Sequence, residues 1–289
     1  MTRKTIALLI AAATIVLLAA LAAWRIEIVS SRMLAARHPL PARPLGVPVL
    51  PGDAAEGLRL AHLNGCFACH GAQLNGRVMS RGVFGSRLTA PNLTRTTAHM
   101  SDDQIAAAIR YGVRPDGTAL FEMPSADFIA LSGSDTAAII AYLRTLAPKP
   151  DAAEKTQWNF DARLLLAMGF IRNEAQAVDP SSRGPERTPK DAPALGRYLT
   201  QAQCTACHGP DLGGDPQLHS PDLRATARHY TFAQFQHFFA TGQARKGHDA
   251  KIMSHAIDTA LKYLKPAETA AIYAYLTAPQ SGGGGQRAH

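Results

Sequence analysis

The strongest pattern along the chain is an uninterrupted apolar stretch near its start. No charge falls between Thr5 and Trp24, and Ile6 to Ala23 alone supplies 18 weakly polar-to-apolar positions in a row. At about 1.5 Å per residue a helix of that length just spans a bilayer. It exceeds the roughly 7–15 residues of a signal-peptide core. Ala20-Leu21-Ala22 resembles a small-residue cleavage site, but Trp24 ends the run where a membrane interface would lie, so an uncleaved anchor is favoured over a cleaved signal. Arg3 and Lys4 precede the run and Arg25 and Arg32 follow it, so the charge bias is weak. Both readings carry the rest of the chain out of the cytoplasm, to the periplasmic face of a bacterial cytoplasmic membrane.

Beyond this run the patterning is helical. Ser101 to Tyr111 opens on a capping serine with acids in the first turn and stops at Gly112, and Thr231 to Thr241 begins and ends in the same way, at Gly242. Ser134 to Leu146 has apolar residues at helical spacing, with Ser134 or Ser132 as cap. Pro266 to Thr277 starts with a proline, which a first turn tolerates. No alternating strand or hairpin signal is visible, so the expected class is all-α. The prolines at 39, 41, 44, 48 and 51 make 25–52 an extended tether. A second linker covers 149–191, with a Pro-, Ser- and charge-rich part from Asp179 expected to be flexible. Within it, Asp161 to Arg172 carries Leu164, Leu165, Leu166, Met168 and Phe170 and reads as a short helix packed between domains. The glycine-rich end, 279–289, is expected to be a disordered tail.

The two remaining blocks, 53–148 and 192–278, repeat one another. The run from Asn64 to Gly76 aligns with that from Ala202 to Gly214, and Pro91-Asn92-Leu93 with Pro221-Asp222-Leu223. Gly112 and Gly242 each lie 21 residues after their proline, and Met123 and Met253 each lie 32 after it. The blocks close on Ala138-Ile139-Ile140-Ala141-Tyr142-Leu143 and Ala271-Ile272-Tyr273-Ala274-Tyr275-Leu276. Two equal spacings of this kind indicate one small fold used twice behind a single transmembrane helix or signal segment (1–24).

Composition sharpens the picture. With 46% hydrophobic and 18% charged residues the chain folds, but only 7% aromatics leave small domains short of filling, a place a cofactor would take. The net charge of +8 is spread without a basic stripe or recognition motif, so no nucleic-acid partner is expected. It suits a solvated surface, an acidic docking partner or anionic headgroups.

All four cysteines lie in Cys66-Phe67-Ala68-Cys69-His70 and Cys204-Thr205-Ala206-Cys207-His208. This spacing is the attachment signature of c-type haem: two thiols on one side of a helical turn reach the vinyl groups, and the next histidine presents a ring nitrogen to the iron. Zinc would need the pairs to converge, yet they are 138 residues apart at equivalent places in two repeats. A thioredoxin-like pair needs a βαβ setting that is not visible, and disulfides would leave both histidines without a purpose. Two covalent haems follow, one on Cys66, Cys69 and His70 and one on Cys204, Cys207 and His208.

The sixth iron ligand is sought among methionines. Met253 is the only one after Cys204, and its repeat partner is Met123. Met79 and Met100 have no counterpart in the second block. The His-to-Met separations, 53 and 45 residues, differ only because the His-to-Pro stretch is 21 residues in one block and 13 in the other. His219, His237, His248 and His255 have no partner in the first block, and His99 and His229 align one residue apart. All are read as surface or supporting residues, and Tyr142 and Tyr275 as packing between the last helix and the first.

Each block resembles a class I, mitochondrial-type cytochrome c domain. The resemblance implies that the carbonyls of Pro91 and Pro221 accept the ring N–H of the haem histidines, and that Met123 and Met253 ligate from a loop before the last helix. Met253 departs from the family in preceding Ser254 rather than a proline, and Gly57 lies nine residues before Cys66 where Gly196 lies eight before Cys204. The whole chain is similar to multi-haem cytochrome subunits of membrane-associated bacterial dehydrogenases and to di-haem oxidase subunits. That implies an electron carrier in a respiratory chain, not itself an enzyme, with a dehydrogenase or terminal oxidase as partner. The rival is a di-haem peroxidase or sulfur-compound oxidase with one open iron, for which no acid–base pair or spare cysteine speaks.

Overall fold

The computed structural model describes residues 2–244 and 250–279. The apolar run forms α1 (Arg3–Ala35), 33 residues long and apolar enough to cross a membrane. It continues well past Trp24, into the segment expected to be linker. Nothing between Arg25 and Ala35 breaks a helix, because the first proline comes at Pro39. The later part of the tether is extended but docked: His38 N donates to Gly117 O, Leu45 is buried, and the buried guanidinium of Arg110 donates to Pro44 O.

Domain one begins with α2 (Ala54–Leu63), and α3 (Cys66–His70) follows after Gly65, whose φ of 69° restarts the chain in a new direction. An antiparallel hairpin comes next, β1 (Asn75–Arg81) paired with β2 (Arg87–Asn92), with an irregularity between Val78 and Ser80. The chain is mostly helical, in keeping with the expected all-α class, but the expectation that it has no hairpin is corrected. The strands bury no alternating face; they are held by backbone pairing, by the Arg87–Gln157 bridge and by Thr156 Oγ1 accepting from Thr89 N. The hairpin occupies the longer His-to-Pro stretch of this block. The second block has only the bridge Asp215–Ser220 there.

After α4 (Leu93–Thr96), α5 (Asp102–Tyr111) is capped as expected by Ser101, in a reciprocal box with Gln104, and ends at Gly112 with φ 64°. A short α6 (Ser125–Phe128) leads to α7 (Gly133–Arg144), capped by Ser132. Helices α2 and α7 cross at Gly57, where an added Cβ would stand 1.8 Å from Ala138 O.

The segment 149–191 wraps domain one. Its α8 (Phe160–Ala167) packs on the lower part of α1, not between the two domains as expected: Ala162, Leu166 and Ile171 meet Met33 and Leu34. In α9 (Glu174–Ala177) the buried Glu174 pairs with Arg172 and accepts from Ala126 N. The stretch expected to be flexible is strapped down, with Gly133 N and Ser134 N donating to Pro185 O and Glu186 O and Thr188 bonded to Ser132, Ser134 and Asp135.

Domain two repeats the plan with α10 (Ala192–His208), α11 (Leu223–Arg228), α12 (Phe232–Thr241), α13 (Lys251–Thr259) and α14 (Pro266–Thr277). Here the first helix and the cysteine segment are one continuous element. Gly196 meets Ala271 O and Tyr275 Cβ as Gly57 meets Ala138 O and Tyr142 Cβ, so the crossing is the same in both domains despite the offset of one residue. The break at Gly65 absorbs that residue. Thr231 caps α12 with Gln234 in a box, as Ser101 does α5. The tail from 280 and His248 lie outside the described residues.

Candidate haem-attachment sites

In each domain the cysteines sit three apart on one helical face, with the histidine closing the helix. The chain then leaves at a glycine of positive φ, Gly71 or Gly209, and turns at Leu74 or Leu212, which share the left-handed region at 54° and 64°. Leu93 N donates to Leu74 O and Leu223 N to Leu212 O, both at 2.8 Å. These bonds bring Pro91 and Pro221 back over the histidines. His70 Nδ1 lies 2.8 Å from Pro91 O, and His208 Nδ1 2.9 Å from Pro221 O. A carbonyl only accepts, so Nδ1 carries the proton and the lone pair is on Nε2, which makes no hydrogen bond with the described residues. Both rings are buried, and burial lowers the pKa of His70, keeping the neutral, ligating form.

No cysteine is in a disulfide. Burial pushes the Cys66 and Cys204 thiols up to about 12, and raises Cys69 and Cys207 as well. Reactive or zinc-binding thiols are pushed the other way, so these environments suit sulfurs that become neutral thioethers. Among the described residues no three His, Cys, Asp or Glu side chains converge on a point. The donor set therefore fits haem c: paired neutral sulfurs, and beside them a buried imidazole aimed by a carbonyl.

Met123 lies in a turn just before α6, whereas Met253 lies within α13; both are half-buried and pack on the same apolar core. Of the competitors, Met79 is exposed on β1, and Met100 is half-buried just before the Ser101 cap. His99, His219, His229, His237 and His255 are all exposed.

Sequence reasoning missed the contact between the two motifs. Gln203, next to Cys204, donates to Asn64 Oδ1 at 3.2 Å, two residues before Cys66. The His62 ring is stacked between Phe67 of the first motif, at 3.9 Å, and Tyr263 of domain two, at 4.5 Å. Arg59 grips Glu268 through both guanidinium nitrogens at 2.8 and 2.9 Å, and also Glu56. Tyr198 OH donates to Asp135 and accepts from Ser132 N. No periodicity or motif marks these residues, because each matters only through its partner in the other domain.

A fold built twice around a Cys-x-x-Cys-His helix, a carbonyl-braced histidine and a glycine-mediated helix crossing defines a cytochrome c domain. The cytochrome c family matches residues 54–147 and 193–278, and the chain belongs to that family with two of its domains. Such domains carry covalently bound haem c, and two domains fit two haems. Among curated proteins the chain is similar to the fructose dehydrogenase cytochrome subunit of Gluconobacter japonicus, at 26% identity over 253 residues that cover 77% of this chain and 51% of that protein. The chain thus spans about half the length of the curated relative it matches.

Proposed function

We propose that the chain is a membrane-tethered electron-transfer subunit passing single electrons through two haem c groups. The donor is a dehydrogenase and the acceptor a downstream carrier or terminal oxidase. The observation that carries this reading is the pair of histidines with Nδ1 committed to a proline carbonyl and Nε2 without a hydrogen bond among the described residues. Bound haem c supplies a one-electron redox centre. Cys66 and Cys69 hold one group and Cys204 and Cys207 the other. His70 and His208 would each give a ring nitrogen to an iron, and Met123 and Met253 a thioether sulfur. Irons held by both a histidine and a methionine would leave small molecules no open place, which suits a carrier rather than an enzyme. The Asn64–Gln203 bond ties α10 to the residue two before Cys66, and the His62 stack ties Phe67 of the first motif to Tyr263 of domain two, which supports relay of one electron within the chain. Helix α1 serves as the anchor in a bacterial cytoplasmic membrane, with both domains in the periplasm. The relationship to a dehydrogenase cytochrome supports the choice of donor.

The test is mass spectrometry and spin-resonance spectroscopy of the exported chain. Two added porphyrins are expected, one lost in Cys66→Ser/Cys69→Ser and the other in Cys204→Ser/Cys207→Ser, with both irons low-spin in the parent. Met123→Ala and Met253→Ala each convert one iron to high-spin. A chain without porphyrin would refute the reading, and a stable high-spin iron in the parent would mark an open-iron enzyme instead.

A further inference from the structure

We propose that the tip of the β1–β2 hairpin and the outer side of α8 form an apolar foot that rests domain one on the lipid surface beside α1. This rests on reading α1 as a membrane anchor.

The tip presents Val83, 90% exposed, and Phe84, 65% exposed. The neighbouring helix and its exit present Phe160, Leu165, Met168 and Phe170, the last 70% exposed. Soluble surfaces scatter single apolar residues but do not concentrate large ones on adjoining elements. The two elements adjoin here because Phe84 and Phe160 meet edge-to-face at 6.2 Å.

The apolar tip is held in place by a polar mount. Phe84 N and Ser86 Oγ donate to the Asp161 carboxylate, and Asn159 Nδ2 donates to Phe84 O at 2.9 Å. A tip built merely to stay in water would need neither the aromatic residues nor this mount.

Lipid is the favoured occupant because of where the foot is fastened. Arg163 of α8 donates to Ser30 and Ser31 of α1, each at 3.0 Å, and pairs with Glu27 at 3.2 Å. Glu27 is three residues past Trp24, or about 4.5 Å along the helix axis. The foot is therefore carried by the element clamped to α1 from Glu27 to Ser31, within about two turns of the end of its uncharged run. At that level a bilayer presents its headgroup layer, from which aromatic and aliphatic side chains reach down to the acyl boundary. Arg81, exposed at the end of β1 beside the tip, and Arg25, exposed on α1 two residues before Glu27, carry the charge that phosphate headgroups attract. A protein covering the same residues would have to share that space with the headgroups.

The experiment uses the full haem-loaded chain in vesicles of phosphatidylcholine and phosphatidylglycerol. One cysteine at a time is introduced by Val83→Cys, Phe170→Cys, Leu17→Cys or Gln217→Cys and tagged with an environment-sensitive fluorophore. The tag is then challenged with brominated lipid and with an aqueous quencher. Expected is loss of fluorescence to brominated lipid at 17, 83 and 170, and to the aqueous quencher at 217. If 17 is quenched by lipid but 83 and 170 only from water, the foot is refuted while the anchor stands. If 17 itself is quenched only from water, the anchor fails and the foot with it. If 83 and 170 are shielded from both quenchers, they lie under protein, and the surface is a subunit interface.

Discussion

Gly57→Ala is the sharpest probe of how the first domain closes. A Cβ at that position would stand 1.8 Å from Ala138 O and 2.9 Å from Tyr142 Cβ, where carbon contacts normally begin near 3.5 Å. The obstacle at Ala138 is backbone, so α2 and α7 must part by on the order of 1.5 Å. Overpacking of this kind costs about 1–3 kcal/mol and sometimes more, and the upper end applies because no rotamer change relieves it. Alanine returns about 1 kcal/mol of helix propensity. The net expectation is a loss of about 2 kcal/mol, which at a urea slope of roughly 1–3 kcal/mol per molar moves the unfolding midpoint by about 1 M. Gly196→Ala meets Ala271 O at 2.1 Å and should do the same to domain two, while Gly52→Ala, with nothing within 4 Å, is the control. Urea unfolding is to be followed by far-ultraviolet circular dichroism and by haem absorption. Gly57→Ala at the midpoint of the control would show that the crossing is not as close as described and would refute the reasoning.

Other expectations bear on the contact between the domains. Tyr198→Phe removes a hydroxyl that donates to Asp135 at 2.5 Å and accepts from Ser132 N, and should cost about 1–3 kcal/mol in urea unfolding because Ser132 N–H is left buried without that partner. The Arg59 hydrogen bond holds the Glu56 carboxyl below its ordinary 4.5, with Lys265 adding to the effect against burial. That stabilisation is complete above pH 4.5 and is lost as pH falls through the lower folded value, so acid should weaken the parent more than Arg59→Met in unfolding midpoints taken below pH 4.5. Burial, and then Lys262, lower the His62 pKa from 6.5, so protonation opposes its stacked state. Stability should therefore decline as pH drops below 6.5, and His62→Phe should flatten that part of the profile.

Much of the site was legible because it is local. Cys-x-x-Cys-His needs one helical turn to place its sulfurs and its ring, and the caps at Ser101 and Thr231 with stops at Gly112 and Gly242 act within a few residues of their helices. The repeat paired Pro91 with Pro221, and the resemblance to class I cytochrome c domains gave their carbonyls the part of accepting from the histidines, as the 2.8 and 2.9 Å contacts have it. The hairpin was missed because its strands have no buried face to impose alternation. The true end of α1 was missed because Arg25, Glu27 and Ser30 look like a polar linker until Arg163 arrives to bind that surface.

The amino-acid sequence by itself determined the two attachment motifs, the duplicated plan, the helix boundaries set by caps and glycines, and the apolar length of α1. Tertiary structure alone decided that the tether and the 149–191 segment wrap domain one, that Gly65 reconciles two differently spaced glycine crossings, and that Asn64 meets Gln203 across the domain boundary. The physical reason is the range of the forces involved. Propensity, capping and covalent spacing act over a few residues and leave a trace in order and composition. A hydrogen bond or ring stack between residues far apart in the chain leaves none until folding brings both partners together.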